Sequence, residues 1–234
     1  MYDIVIPLKA TSKNEELRYS LRSIAKNFPH RNVWVSGYHP RWTRGLNYIN
    51  STTVKESKYD KAAKNIRMAC LSPKVSDKFF LFNDDFFIMS NVKDFSNMHR
   101  GYLDEVIEYY MDNHPVSTYT NAMLRTRDVL DKLGVRDPLS YALHIPMLVD
   151  KKLWMKAHAM QLEFNPDNLP IQMRTIYGNL FIDDATYRED VKAFELDTIP
   201  EYREYLSTSD KSFRDGLIGK RIRNTFPQKS KYEK

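Results

Sequence analysis

The sequence predicts an α/β fold with a mixed, mostly parallel sheet flanked by helices, and three observations carry that prediction. Residues 3–37 read as strand, helix and strand, which is the length of one βαβ unit and implies parallel pairing. Residues 58–73 show helical spacing again before a further apolar run at residues 79–82. That run is apolar without interruption, as expected for a strand covered on both faces. Strands that alternate with helices are typical of the α/β class.

The first three elements each have a local signal. Residues 3–9 are short, apolar and β-branched, which predicts a strand. Either Ser12 or Asn14 can cap the helix that follows, which carries two glutamates in its positive first turn and ends at Pro29. A second apolar run closes at Gly37, which marks the end of the second strand.

The later segments show clear local signals only in part. Residues 39–57 predict an irregular loop with a short strand, and residues 58–73 predict a helix. Helical spacing also predicts helices at residues 121–134, ended by a glycine, and at residues 150–162. Residues 175–190 and the C-terminal segment show no clear periodicity and receive no assignment. Because no low-complexity linker interrupts the chain, we expect a single domain.

The composition excludes several classes of protein. The chain is 42% hydrophobic and 13% aromatic, so it is able to bury a core and is not intrinsically disordered. No window approaches 18 uninterrupted apolar residues, so we expect no membrane span. The first residues read as a strand and not as a signal peptide. Cys70 is the only cysteine, which excludes an internal disulfide, indicates a small buried side chain and favours a reducing, cytoplasmic compartment.

Charge is distributed unevenly along the chain. Residues 1–82 carry 15 Lys and Arg against 6 Asp and Glu, and residues 207–234 carry 8 against 3. The segment between them carries 13 against 21. Basic ends around an acidic middle indicate a polyanionic partner, either the phosphates of a nucleotide or a nucleic acid. An ordinary solvated surface is the alternative.

Two adjacent aspartates, Asp84 and Asp85, follow the apolar run at residues 79–82. Ligands of open parallel sheets bind beyond the carboxyl ends of the strands, which is where this pair falls. Two carboxylates so close together repel each other unless a cation compensates, and Mg²⁺ or Mn²⁺ does so while also binding substrate phosphates. A polar turn or a helix cap is the alternative. We favour the metal site, because apolar residues frame the pair on both sides.

Three segments of the chain together resemble the Stealth family. These are EELRYSLRSIAKNFPHRNVWVSG (residues 15–37), FFLFNDDFFIM (residues 79–89) and ALHIP (residues 142–146). Stealth proteins are capsular polysaccharide sugar-phosphate transferases, related to the animal enzyme that places N-acetylglucosamine-1-phosphate on lysosomal glycans. The resemblance implies a GT-A-like nucleotide-sugar-binding fold and a nucleotide-sugar donor, for which we expect a UDP-sugar. Asn83 and the two aspartates would take the place of the metal-binding acidic motif.

The resemblance also implies which part of the single domain, residues 1–234, binds the donor and which part binds the acceptor. Residues 1–90 would bind the nucleotide sugar, and residues 91–234 would supply the acceptor-binding half and a basic tail. The opening from Asp3 to Lys9 is shorter than in Stealth proteins and is closer to that of a generic sugar transferase. Similar small proteins occur among phage-encoded sugar transferases, some of which decorate modified DNA bases. A phage-encoded member would act in the host cytoplasm.

We therefore predict a metal-dependent glycosyltransferase that moves a sugar from a nucleotide diphosphate to a hydroxyl acceptor. Hydroxymethylated or already glycosylated bases of DNA fit the basic ends as an acceptor. One alternative is a Stealth-type transfer of sugar-1-phosphate to a polysaccharide. A second alternative is a non-catalytic nucleic-acid-binding module.

Five cationic residues are candidates for binding the donor. Arg18 and Arg22 share a helix face at i and i+4, and their guanidinium groups suit bidentate contact with phosphate. Lys9 follows the first strand and is able to reach the same diphosphate, Lys64 is expected to contact the donor nucleotide, and Arg125 to bind a phosphate. For each of them, a solvated surface is the alternative.

Two further residues are candidates for catalysis. His144 is a third metal ligand or a general base for the acceptor hydroxyl, and its alternative is a satisfied core histidine. Asp184 belongs to a second aspartate pair in a context that repeats the first, NLFIDDATY against FLFNDDFFI. It is a candidate for the base that deprotonates the attacking hydroxyl, and its alternative is a helix N-cap.

Overall fold

The computed structural model describes residues 1–11, 13–51, 58–199, 201 and 203–234, with no side-chain detail for residues 58–60. Its strands, in chain order, are β1 (Asp3–Leu8), β2 (Val33–Gly37), β3 (Asn47–Ile49), β4 (Lys78–Leu81), β5 (Phe86–Ile88), β6 (Asn97–His99), β7 (Met147–Asp150), β8 (Ala185–Tyr187), β9 (Lys192–Ala193) and β10 (Tyr205–Thr208). Its helices are α1 (Glu15–Asn27), α2 (Lys58–Leu71), α3 (Leu103–Asn113), α4 (Thr118–Lys132), α5 (Lys151–Phe164), α6 (Met173–Phe181), α7 (Asp210–Asp215) and α8 (Leu217–Thr225).

The main sheet has five strands in the order β3-β2-β1-β4-β7. β1 lies at its centre and pairs in parallel with both β2 and β4, and β3 pairs in parallel with β2. The predicted parallel βαβ unit of β1, α1 and β2 is therefore confirmed. Apart from Asp3, which is buried and pairs with Arg31 at 2.7 Å, the buried residues of β1 and β4 are apolar, as expected for strands covered on both faces.

α1 shows why the sequence pattern in this region was informative. Leu17, Leu21 and Ile24 recur at helical spacing and are fully buried, so they form the face that packs inward. Asn14 directly precedes the helix in a left-handed conformation, with φ of 46°, and its side chain caps no helical N–H. The amide of Asn14 instead donates to the carbonyl of Lys9 at 3.2 Å. Ser12, the other predicted cap, lies outside the described residues.

The chain changes sheets at the aspartate pair. β4 ends at Leu81, and β5 begins directly after Asp85 in a separate three-stranded sheet of order β5-β10-β9. β10 runs antiparallel to β5 and parallel to β9. The two apolar runs that flank the aspartates are thus two different strands, and the charged residues occupy the turn that joins them.

The structure separates into two compact units. The first comprises residues 1–95, 144–148 and 191–234, and the second comprises residues 96–143 and 149–190. In the first unit the C-terminal helices complete a core that is continuous with β5 and β10. Its buried members are Phe87, Leu206, Phe213, Ile218, Ile222 and Phe226. The sequence did not indicate that residues 191–234 would return to the unit built by residues 1–95.

The second unit contains the helices α3, α4, α5 and α6, which contact one another, and the two-stranded parallel sheet of β6 and β8. The helices predicted at residues 121–134 and 150–162 correspond to α4 and α5. The unassigned residues 175–190 form most of α6 followed by β8. Their short elements explain the absence of a clear period, because a nine-residue helix and a three-residue strand are too brief to show one.

The described residues bear on two points that the composition raised. Cys70 is buried, with 8% of its surface exposed. No helix in the described part of the chain combines the length and the apolar character needed to cross a bilayer.

Candidate active site

Asp84 and Asp85 lie in a tight turn between β4 and β5. The turn closes with a hydrogen bond from the Phe86 N–H to the Asn83 carbonyl at 3.4 Å, which leaves the two aspartates at its central positions. Because β4 is parallel to β1, the carboxyl ends of both strands lie at the same edge of the sheet. Lys9 directly follows β1 and is exposed, and its charge acts on the Asp84 carboxylate.

Asp84 is held in a setting that resists ionisation. Burial raises its pKa from 3.8 to about 6, and the neighbouring charge of Asp85 acts in the same direction. The charge of Lys9 opposes this shift without cancelling it. A nearby cation would stabilise the ionised form of this carboxyl group, because it offsets both the repulsion from Asp85 and the cost of burying a charge.

Asp85 has two oxygen atoms with different surroundings. Oδ2 accepts hydrogen bonds from the Lys192 ammonium group and, at 3.2 Å, from the Ser207 hydroxyl. The Lys192 and Asp85 side chains are 13% and 16% exposed, so this ion pair is largely shielded from water. Oδ1 is buried and has no hydrogen-bond partner among the residues that the structure describes. A buried carboxylate oxygen without a hydrogen bond is uncommon, and a bound water molecule or a cation would satisfy it.

A third carboxylate, Glu16, belongs to the same cluster. Glu16 accepts a hydrogen bond from the Thr208 hydroxyl at 2.8 Å. Burial raises its pKa from 4.5 to about 7, and the charges of Asp85, Asp210 and Asp84 raise it further while the Thr208 hydrogen bond opposes them. The first unit therefore gathers four acidic side chains, one of them paired with a lysine, around the turn between β4 and β5.

These residues fit a divalent cation that is shared with a ligand. Within the described ranges, no three Asp, Glu, His or Cys side chains converge closely enough to hold a metal by themselves. Mg²⁺ and related ions, however, take only one or two protein carboxylates and complete their shell with water and substrate phosphates. The unpaired Oδ1 of Asp85 and the adjacent Asp84 supply that number of ligands.

His144 lies in the same compact unit as the aspartates. Its ring meets Phe86, the residue after Asp85, edge-on with 6.4 Å between ring centroids. The side chain is half-buried, so it is neither a fully enclosed core residue nor a free surface group. Its predicted role as a metal ligand or general base stays a prediction.

Arg18 and Arg22 bind a carboxylate of the chain itself. The guanidinium group of Arg22 donates to Glu233 from Nε at 2.8 Å and from Nη2 at 2.9 Å, and also to two backbone carbonyls. Arg18 donates to the same glutamate at 2.7 Å and lies over the Trp42 ring. The shared helix face was correctly predicted, but its partner here is the C-terminal segment, and the phosphate contact stays a prediction.

The other predicted residues lie in different surroundings. Lys64 is half-buried on α2 in the first unit. Arg125 belongs to the second unit, where its guanidinium group donates to the Pro170 carbonyl at 2.5 Å. Asp184 is an exposed residue of the second unit that follows the C-terminal end of α6. The alternative interpretation of the second aspartate pair as a helix N-cap is therefore wrong, whereas the roles of Arg125 and Asp184 stay predictions.

Sequence reasoning missed four residues around the aspartates: Glu16, Lys192, Ser207 and Thr208. Glu16 was assigned only to the positive first turn of α1, a role that many helical glutamates fill. The other three lie on β9 and β10, two short strands in a region without clear periodicity. Ser207 and Thr208 are almost fully buried, and buried hydroxyls in a strand would have been the one available signal had the strand been recognised.

The carboxyl cluster predicts a dependence of stability on pH. Glu16 and Asp84 have pKa values of about 7 and about 6 in the folded protein, above their unfolded values of 4.5 and 3.8. The folded state therefore binds these protons more tightly, so their stabilising contribution is complete below pH 3.8 and is lost as pH rises to about 7. We expect the contribution of these two groups to the free energy of unfolding of the metal-free protein, measured with urea, to fall across this range.

Glu16→Gln provides the control for this pH dependence. Glutamine is able to keep the hydrogen bond to Thr208 but cannot ionise, so the free energy of unfolding of this variant should fall less between pH 5 and 7 than that of the wild-type protein. An unchanged slope in the variant would show that Glu16 is not part of the titrating cluster.

Comparisons with known proteins bear on the fold. The chain is similar in structure to galactosyltransferase LgtC, solved in complex with donor and acceptor sugar analogs, with a TM-score of 0.55 at 12% sequence identity. The match covers 97% of this chain and 96% of that one. It confirms the predicted α/β fold with a mostly parallel central sheet flanked by helices, and at this identity it shows the fold alone.

Two structures of the glycosyltransferase GlyE from Streptococcus pneumoniae TIGR4, one of them the apo form, are more distant. Each has a TM-score of 0.40 at 11% identity and covers 80% of this chain and 45% of the other. A likeness at this level adds nothing to the assignment of the fold. No protein-family model matches the sequence, and no curated protein matches it either.

Proposed function

We propose that this protein is a metal-dependent glycosyltransferase that moves a sugar from a nucleotide-diphosphate sugar to a hydroxyl acceptor. The observation that carries the proposal is the turn at Asp84 and Asp85, at the carboxyl end of a mostly parallel sheet. One carboxylate oxygen in this turn is buried and has no hydrogen-bond partner among the described residues. Ligands of open α/β sheets bind at this end. The fold that surrounds the turn is shared with a galactosyltransferase.

Asp85 and Asp84 would hold the cation, with Mn²⁺ or Mg²⁺ as the ions that suit this pair of carboxylates. When bound, the cation would neutralise the negative charge that develops on the departing diphosphate. Lys9, exposed at the same sheet edge and close enough to act on Asp84, would add a positive charge for the phosphates. The cation and Lys9 together would make the local charge positive, so that the anionic donor is attracted to a turn that is acidic by itself.

In the proposed reaction, the anomeric carbon of the sugar exchanges its bond to the donor phosphate for a bond to the acceptor. An oxygen of the acceptor hydroxyl forms the new bond to this carbon, and the bond from the carbon to the phosphate oxygen breaks. The nucleoside diphosphate leaves with the electron pair, and the hydroxyl proton passes to a base. His144 is our candidate for that base because it packs beside the residue that follows Asp85.

The acceptor is a further part of the proposal. The excess of basic residues at both ends of the chain supports a polyanionic acceptor, of which DNA with hydroxymethylated or glycosylated bases is one. The Stealth-type alternative, transfer of sugar-1-phosphate to a polysaccharide, uses the same kind of donor and differs in the bond that breaks.

Binding of the donor is the first test. We expect a UDP-sugar together with Mn²⁺ to raise the melting temperature, because a ligand that binds only the native state stabilises it. About 3 kcal/mol of stabilisation is expected at a donor concentration a hundred times Kd. The measurement is a thermal-shift screen of sugar nucleotides with and without Mn²⁺. The absence of a shift for every donor would contradict the proposed function.

The nucleotide product distinguishes transfer of the sugar from transfer of sugar-1-phosphate. Transfer of the sugar releases a nucleoside diphosphate, whereas transfer of sugar-1-phosphate releases a nucleoside monophosphate. A chromatogram of the nucleotide after turnover therefore distinguishes them. Tight, salt-sensitive DNA binding without any binding of metal or sugar nucleotide would instead favour the nucleic-acid-binding module.

A further inference from the structure

Lys192 lies in the candidate active site, although the proposed reaction does not use it. In the three-stranded sheet, Lys192 on β9 is the register partner of Ser207 on β10. Ser207 in turn is the register partner of Phe86, the residue that follows Asp85. The sheet thus places an ammonium group and a hydroxyl group side by side, and both donate to the same oxygen, Oδ2 of Asp85.

The two donors fix the orientation of the Asp85 carboxylate. While Lys192 and Ser207 hold Oδ2, the second oxygen, Oδ1, is buried and accepts no hydrogen bond from the part of the chain that the structure describes. A carboxylate without these donors is free to rotate and to offer a cation either oxygen or both. The sheet therefore provides a reason why one defined oxygen of Asp85 is left without a hydrogen bond among the described residues.

Lys192 also neutralises a charge that is otherwise costly. Glu16, Asp84 and Asp210 all act on the same small region, and burial of unpaired like charges is unfavourable. One ammonium group leaves the cluster net negative, so a divalent cation is still attracted to it. The ammonium group and the divalent cation are thus partial competitors for the charge of Asp85.

We propose that Lys192 is the built-in counterion of Asp85: it balances the carboxylate before the divalent cation binds and positions Oδ1 as the atom that will bind it. The inference rests on the proposed function in so far as the cation serves sugar transfer. Its central claim, the relation between Lys192 and cation binding, is independent of any donor. Lys192 is a positioning residue, since it acts through Asp85.

The test is Lys192→Met, which keeps the length of the side chain and removes its charge. We expect Mn²⁺ alone to bind about tenfold more tightly, corresponding to loss of one competing charge worth about 1.4 kcal/mol. The melting temperature of the metal-free variant should fall by about 5 °C or more, and Mn²⁺ should restore it. Sugar transfer at saturating Mn²⁺ should nevertheless fall by about tenfold, because Asp85 is no longer oriented. Calorimetric titration with Mn²⁺ and thermal melts provide the readouts that do not depend on activity.

Lys132→Met is the matched control. Lys132 also pairs with an aspartate, Asp128 at 2.8 Å, but on the exposed face of α4 in the second unit. This variant should leave Mn²⁺ affinity and transfer unchanged. Lys192→Arg, which keeps the charge, should bind Mn²⁺ with an affinity close to that of the wild-type protein.

The outcomes separate this inference from the proposed function. A purely structural lysine would lower stability, Mn²⁺ affinity and transfer together, so weaker or unchanged Mn²⁺ binding in Lys192→Met overturns the inference, as does a wild-type protein that binds no Mn²⁺. If the variant is unfolded without metal, recovery of its fold by Mn²⁺ supports the inference and no recovery overturns it. If the Mn²⁺ results hold but no sugar nucleotide is turned over, the counterion role stands and the proposed function fails.

Discussion

Asp85→Asn is expected to lower the rate of sugar transfer by about 10²–10³-fold, the scale on which loss of one preorganised electrostatic group acts. Asparagine has the shape of aspartate but no charge, so Oδ1 becomes a poor ligand for a divalent cation. The rate of nucleoside diphosphate release at saturating donor and Mn²⁺ measures the effect. Binding of Mn²⁺ should weaken in the same variant.

Stability needs a separate control in this experiment, because Asp85→Asn leaves the buried ammonium group of Lys192 without its counter-charge. The double variant Asp85→Asn with Lys192→Met removes both charges and should recover much of the lost stability without recovering transfer. Asp128→Asn, which breaks the exposed pair with Lys132, should affect neither property by much. Full transfer activity in Asp85→Asn would refute the proposed site.

Glu233→Gln is expected to destabilise the protein by about 3–5 kcal/mol, the usual cost of removing one partner from a buried ion pair. The Glu233 side chain is fully buried and accepts hydrogen bonds from Arg18, Arg22 and the Ser230 N–H. Arg22 is itself only 9% exposed, so its charge would lose its compensation within the protein. Chemical denaturation at pH 7 measures the change. The m value, which is the slope of the free energy of unfolding against denaturant concentration, should stay the same as in the wild-type protein.

The same glutamate should also make the wild-type protein sensitive to acid. Burial favours the neutral form, but the hydrogen bonds from Arg22, the Ser230 N–H and Arg18 lower the pKa of Glu233 from 4.5 to about 2. Its contribution is therefore present above pH 4.5 and is lost as pH falls toward 2. Glu233→Gln should show less of this loss than the wild-type protein.

Asp215→Asn is the matched control for Glu233→Gln. Asp215 pairs with Arg214 at 2.8 Å, but the two side chains are 45% and 69% exposed. Water and salt screen the charges of an exposed ion pair, so this variant should unfold almost as the wild-type protein does. A cost below about 1 kcal/mol for Glu233→Gln would mean that the C-terminal segment is held by its other contacts.

Local patterns in the sequence were sufficient for much of the first unit. β1, α1, β2 and β4 were predicted because each has a run of apolar residues with one clear period and a residue that stops it. The same reasoning located Asp84 and Asp85, since two charges next to a continuous apolar run are visible without any knowledge of the fold. The sequence offered a polar turn here as the alternative to a metal site, and the structure shows that the pair does form a turn, which is compatible with metal binding.

Only the tertiary structure decided what these residues contact. Lys192 and Asp85 are 107 residues apart in the chain, and Arg22 and Glu233 are 211 apart. Each side chain, taken alone, is an ordinary charged residue, and no local period indicates which opposite charge it will meet. The pairings arise because β9 and β10 pair in register beside β5 and because the C-terminal segment returns to α1. The sequence by itself determined the α/β class and the position of the acidic turn. The counterion of this turn and the partner of the arginines were set by long-range packing. A buried charge is unfavourable unless an opposite charge lies beside it, and only the completed fold determines which residue supplies that charge.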